Sequence, residues 1–242
     1  MKNNKHYVYE SPFKMKDKEG KEYLLTVEQC DYAEDPREWS NLCTMVCWHS
    51  RYRLGDKHSF DNPDEFMQHL YLDVTGKHWC DDHESDDWQD VYKELRETDL
   101  VLIKQINAYE HGGITVSTSS GYPYNDCWDA GCVGFIYVTK KTIFKECGNI
   151  TEENWKERAD KYLEGEMETY DQYLRGECYR YTLEEKVHYR DETTCPHCGE
   201  VIKVDEYDDY EDFDGCCGFY GDCLEENGIL DSIGNLKFVE EE

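Results

Sequence analysis

Residues 195–217 read CPHCGEVIKVDEYDDYEDFDGCC, and the reading of this stretch decides how the C-terminal third of the chain folds. It opens on two cysteines separated by two residues and closes on an adjacent pair. Cys195 and Cys198 at that spacing can hold two corners of a tetrahedral zinc site, and Gly199 eases the tight turn behind them. Two more ligands are then needed. Neighbours in a strand point to opposite faces, so one of Cys216 and Cys217 is expected to join. Cys223, Cys178, His188 or His197 could supply the fourth. The expectation is a structural zinc on Cys195, Cys198, Cys216 and Cys217 that braces a hairpin. Four protein ligands leave no open position for water, so no chemistry is expected there.

Between the cysteines lie seven acids: Asp205, Glu206, Asp208, Asp209, Glu211, Asp212 and Asp214. Tyr207, Tyr210 and Phe213 interrupt them at every third residue. An extended chain rises about 3.3 Å per residue, which gives roughly one charge per 5 Å. One DNA strand carries one charge per about 3.4 Å. Such a segment approaches the charge density of a nucleic-acid strand without matching it. If the aromatic rings pack beneath, the acids are held outward. Calcium is a poorer reading, because DEYDDYEDFDG lacks the DxDxDG loop with its distant Glu.

The whole chain shares this character. It has 242 residues and a formal net charge of −29, enough length to bury a core without disulfides. The charge is concentrated. Residues 81–100 hold nine acids against two bases, and 201–242 hold fourteen against two, while 101–150 balance. Low hydrophobicity with high charge signals disorder in general. Here 20 tyrosines argue for a fold, since Tyr buries a ring and keeps its hydroxyl wet. Direct binding to nucleic acid is disfavoured, because the chain repels phosphate and has no basic stripe. Average surface scaling spreads the charge to about one per 400 Å², too dilute to imitate a duplex, so any mimicry depends on clustering. Thirteen cysteines with no export signal at MKNNKHYVYESPFK fit a reducing, cytoplasmic setting.

Periodicity predicts an α+β fold, in which an antiparallel sheet packs against one long helix and shorter helices. His6–Glu10 and Tyr23–Val27 read as strands about a charged turn. Thr44–His49, residues 101–110 and Val133–Val138 read as buried strands. Pro63 opens a helix capped by Asp61 or Asn62, and Ser85 caps another. The long helix spans about 152–174, where Trp155, Ala159, Tyr162, Leu163, Met167, Tyr170 and Leu174 recur at three or four, with Gly165 a possible kink. Short strands at 178–183 and 200–204 follow. The expected division is a core at 1–176 and a β-rich extension at 177–242 that carries the CPHC knuckle and packs on the core.

Two further clusters invite a chemical reading. His78, Cys80 and His83 lie close enough in sequence to form a metal site, which makes a metal-dependent enzyme the alternative to a binding protein. Cys47 and His49 sit at i and i+2 on one strand face, with no third group in the sequence to orient them.

Several pieces together resemble a family of uncharacterised acidic proteins of bacteriophages and bacterial mobile elements. They are Met45-Val46-Cys47-Trp48-His49, Gly113-Ile114-Thr115, Trp128-Asp129-Ala130-Gly131 followed by VGFIYV, Tyr170-Asp171-Gln172-Tyr173-Leu174-Arg175-Gly176, and Gly218-Phe219-Tyr220-Gly221. The resemblance implies life in a bacterial host and carries no catalytic residues. The functional expectation is an acidic binding protein, a nucleic-acid mimic that inhibits a basic, nucleic-acid-binding defence protein of the host. Its partner-binding residues would be Asp81, Asp82, Asp86, Asp87 and Asp90 together with the seven acids of 205–214. A structural or regulatory adaptor without mimicry is the remaining alternative.

Overall fold

The structure is a computed structural model that describes residues 5–119 and 130–239. Trp128 and Asp129 of the resemblance lie outside the described residues. In chain order the elements are β1 (Phe13–Lys16), β2 (Glu22–Gln29), β3 (Thr44–Cys47), α1 (Pro63–Thr75), α2 (Trp79–Asp82), α3 (Trp88–Glu97), β4 (Val101–Glu110), β5 (Ile114–Ser117), β6 (Ala130–Thr139), α4 (Lys140–Glu146), α5 (Trp155–Leu174), β7 (Cys178–Thr194), β8 (Val201–Tyr220), α6 (Ile229–Ser232) and β9 (Lys237–Phe238). The architecture is mixed, with six α-helices and antiparallel sheets among the described residues. Two sheets form where the sequence suggested one, in the orders β8-β7-β2-β1-β9 and β3-β6-β4-β5. No helix among the described residues is long and apolar enough to cross a membrane.

The chain divides into two compact units, one of residues 34–175 and one of residues 1–33 with 176–242. The N-terminal strands therefore group with the C-terminal segment, because β2 pairs along β7 from Tyr23↔Glu185 to Gln29↔Tyr179. That pairing joins residues 150 or more apart, which periodicity along the chain does not report.

In the 34–175 unit, helices cover both faces of the four-stranded sheet. On one face, Met45, Ile106, Ile136 and Val138 pack against Trp155, Ala159, Leu163, Met167 and Tyr170 of α5. On the other, Val46, Val101, Ile103 and Phe135 pack against Phe66, Met67 and Leu70 of α1 and Val91 and Leu95 of α3. Alternation along each strand sorts the side chains to the two cores. A strand buried on both sides reads as continuously apolar, which is why VGFIYV stands out. The long helix runs unbroken through Gly165. Caps set the helix starts: Asn62 accepts the Glu65 N–H at 2.9 Å, while Asp87, and not Ser85, caps α3 through Gln89 N–H at 2.9 Å. Residues 8–10 form a short 3-10 turn in place of the expected strand, held by the Glu10 carboxylate on the Tyr7 N–H at 2.9 Å.

Strands β3 and β6 approach closely at Gly134, which lies opposite Cys47. A Cβ there would sit 2.2 Å from the Val46 carbonyl oxygen and 2.7 Å from the Cys47 Cα. Both obstacles are backbone, so neither can rotate away. Gly134→Ala is expected to cost about 1–3 kcal/mol or more, the range for overpacked cores, read as a fall in the urea midpoint at unchanged slope.

In the other unit, the five-stranded sheet buries Phe13, Met15, Tyr23, Leu25, Val27, Tyr181 and Leu183 with Leu224 and Ile229. The sequence predicts short strands at 178–183 and 200–204 after residue 177, with no strand assigned to the acidic segment. The structure instead has 17 residues in β7 and 20 in β8. Asp is disfavoured in isolated strands, but the scale spans only about 1 kcal/mol and pairing overrides it. The last rung shared with β2 is Tyr23↔Glu185. Beyond it, β7 residues 186–194 pair with β8 alone and extend about 30 Å as a two-stranded ribbon.

Candidate functional site

The ribbon is the site, and its pleat decides which side chains stand together. Directly opposed residues share a face. One face carries Lys186, His188 and Arg190 opposite Tyr210, Asp208 and Glu206. Here opposite charges meet. Asp208 lies 3.0 Å from Lys186 and 2.9 Å from His188, and Arg190 reaches Glu206 at 3.8 Å. The bonds from His188 and then Lys186 hold the Asp208 carboxyl below its ordinary range. Asp212 lies on this face too, opposite Glu184.

The reverse face carries Glu185, Val187, Tyr189 and Asp191 opposite Glu211, Asp209, Tyr207 and Asp205. Like charges stand directly opposite one another at Asp191↔Asp205 and Glu185↔Glu211, an arrangement that destabilises a sheet. Among the described residues, lysines reach its two ends, Lys203 at Asp205 and Lys21 at Glu185. Between them, the Tyr189 hydroxyl donates to Glu211, and Tyr207 hydrogen-bonds Asp191. The Asp191 charge is the main reason the Tyr207 phenol lies above its ordinary value. The two rings stack across the strands with centroids 5.3 Å apart and planes 17° from parallel. Stacked rings ringed by carboxylates thus occupy the middle of the face.

The aromatic triplet does not share an underside. A three-residue spacing falls out of phase with the two-residue pleat, so Tyr207 and Tyr210 point to opposite faces. Phe213 falls at a bulge, where Leu183 opposes Asp214 and Glu184 opposes Asp212. Its ring meets Tyr23 edge-on at 5.4 Å. Past the bulge, Asp214 accepts the Tyr181 hydroxyl at 2.8 Å and serves the fold. The sequence reading missed Tyr189, Asp191 and Glu185. The signal was present in EEKVHYRDE (184–192), whose alternate residues are E, K, H, R, E and E, V, Y, D.

The four expected metal ligands do not come together. Cys195 and Cys198 occupy the turn at the ribbon tip, closed by Cys195 N–H to Glu200 O at 2.7 Å and Gly199 N–H to Cys195 O at 2.9 Å. Cys216 pairs with Tyr181 and Cys217 with Arg180, thirteen or more rungs away, roughly 40 Å along the ribbon. A continuous ladder separates the ends that a loop would have brought together. No cluster of three or more His, Cys, Asp or Glu that could hold a metal is present among the described residues. At the tip, the backbone N–H groups of His197 and Cys198 point at the Cys195 sulfur and lower its pKa.

The second acidic segment belongs to the other unit. Asp81 and Asp82 lie in α2, and Lys77 approaches Asp82 at 3.8 Å. Asp87 is the α3 cap, and Asp90 accepts the Ser85 hydroxyl at 2.6 Å. Asp86 is exposed in the segment between α2 and α3. Asp82, Asp90, Glu94 and Glu97 border a cleft of about 750 Å³. Two of the five expected contact residues thus hold the local backbone and turn.

Neither chemical cluster assembles. His83 lies flat on Trp79 at 3.6 Å and engages Trp79 O and Glu94, while His78 precedes α2 without a side-chain capping bond and Cys80 is exposed. His49 uses both nitrogens structurally, one on Glu110 at 2.9 Å, the other accepting the Arg51 and Tyr52 N–H groups. Burial, with Asp56 adding to it, pushes the Cys47 thiol up to about 12, so it is no ready nucleophile.

No protein family matches the chain, and neither does any curated protein or solved structure.

Proposed function

We propose that the protein is an acidic binding protein that engages a basic, nucleic-acid-binding partner through the face of the ribbon centred on Tyr189 and Tyr207. One observation carries the reading: carboxylates stand directly opposite one another there, with tyrosine hydroxyls between them and the nearest bases at the ends. Such a face costs the fold stability, and a cationic groove would relieve it. On β8 the acids of this face, Asp205, Asp209 and Glu211, lie four and then two residues apart, about 13 and 7 Å, with the stacked rings in the wider gap. That pattern is nearer to a single strand, with its charges flanking stacked bases, than to a duplex with one charge per about 1.7 Å. Proteins that hold single strands combine a basic groove with aromatic stacking, and both would meet a counterpart on this face. The phage-like resemblance adds a setting in which such a partner is a host defence protein, and the cytoplasm as the compartment.

Binding of this kind weakens steeply with salt. Immobilised protein is expected to retain nucleic-acid-binding proteins from a bacterial lysate at low ionic strength. Salt should release them, and so should a single-stranded oligonucleotide, more readily than the same length of duplex. Retention of no basic protein at any salt concentration would sink the proposal.

A further inference from the structure

The ribbon tip carries two cysteines separated by two residues. Cys195 and Cys198 flank a tight turn there, closed by the Cys195 N–H on the Glu200 carbonyl at 2.7 Å and the Gly199 N–H on the Cys195 carbonyl at 2.9 Å. A turn of this kind, with two residues between the cysteines, holds them as two corners of a tetrahedral zinc site. Cys198 lies 3.7 Å from a Glu200 carboxylate oxygen, yet the described residues offer no third ligand in place. A tetrahedral structural zinc wants four.

The surroundings suit a second copy of this chain. Val201, Ile202 and Val204 beside the knuckle are 48%, 64% and 41% exposed, an apolar rim with nothing in its own unit to cover it. Residues 193–204 contain one acid and one base, a neutral cap on a strongly anionic ribbon. Two copies meeting tip to tip would keep their sheets about 60 Å apart, many times the screening length of about 8–10 Å. Any broader approach would set acidic faces against each other.

We infer that Cys195 and Cys198 of two copies together bind one zinc ion, joining the ribbons tip to tip in a metal-dependent dimer. Each thiol gives up its proton on binding, and the ion takes four thiolates with no change of oxidation state. This inference is independent of the acidic-face reading, because the knuckle lies beyond that face.

The test is titration of the reduced, metal-free full chain with Co²⁺ as a spectroscopic stand-in, followed by Zn²⁺ competition and sedimentation. The expected result is a tetrahedral tetrathiolate spectrum that saturates at one ion per two chains, with mass doubling in step and reversed by a chelator. Cys195→Ser/Cys198→Ser should lose both spectrum and dimer while keeping its circular dichroism. Cys216→Ser/Cys217→Ser should keep all three. Saturation at one ion per chain in a monomer would overturn the inference, as would a dimer that survives the Cys195→Ser/Cys198→Ser exchange, or no ion bound.

Discussion

Replacing Arg37 with methionine is expected to destabilise the 34–175 unit by about 3–5 kcal/mol, the cost of breaking a buried ion cluster by removing one partner. The Arg37 side chain is 3% exposed. Its guanidinium grips Asp56 with two bonds of 2.9 Å, reaches Glu166 at 2.9 Å and donates to the Cys43 carbonyl at 2.8 Å. The carboxylates are committed elsewhere too. Glu166 accepts the Leu42 and Cys43 N–H groups, and Asp56 accepts that of Met45. Without Arg37 both would remain as partly buried, uncompensated charges, unable to turn to water without orphaning those amides. Total stabilities of about 5–15 kcal/mol make this a large fraction. Arg37→Lys should recover part of the loss, because a lysine supplies the charge without the two-pronged geometry. Urea midpoints of the three proteins decide the matter. A loss below about 1 kcal/mol for Arg37→Met would show that the cluster adds little.

The second large effect separates the two faces of the ribbon. Asp191→Asn/Asp205→Asn/Asp209→Asn removes three carboxylates from the tyrosine-centred face. Glu206→Gln/Asp208→Asn/Asp212→Asn removes three from the face that carries Lys186, His188 and Arg190. Both change the net charge equally, so a partner drawn only by overall charge would respond equally. An exposed ion pair is worth up to roughly a factor of five. The first variant is therefore expected to bind the captured partner about a hundredfold more weakly, and the second within about threefold of the parent. Stability should move the other way. The first variant removes opposed like charges and should gain slightly, while in the second the relief at Glu184↔Asp212 is offset by loss of the Lys186 and His188 partners of Asp208 and the Arg190 partner of Glu206, so it should not. Equal losses of binding in the two would leave charge alone as the explanation and refute the face assignment.

Much of the 34–175 unit was legible because its signals are local. The stripe of α5, the apolar run of β6 and the proline and cap that open α1 repeat at fixed spacings along the chain. The site was legible only as composition. Sequence identifies Asp205, Glu206, Asp208, Asp209, Glu211, Asp212 and Asp214 as a dense acidic segment, and assigns them one common role. Register divides them. Asp208 and Glu206 meet bases, Asp205 and Glu211 stand opposite acids, Asp209 stands opposite Val187, and Asp214 supports Tyr181. The bulge at Phe213 shifts the phase once more, and a shift of one residue exchanges the faces.

By itself, then, the sequence determined the net charge, the knuckle turn at Cys195–Cys198, the long helix and the apolar strands, since each depends on residues within a few positions of one another. Tertiary structure decided that β2 pairs with β7, that the acidic stretch is a strand paired along its length, and that the cysteine pairs flanking it stand at opposite ends. Those outcomes depend on which distant strand supplies the hydrogen bonds and in what register, and the energy that selects them comes from the partner strand.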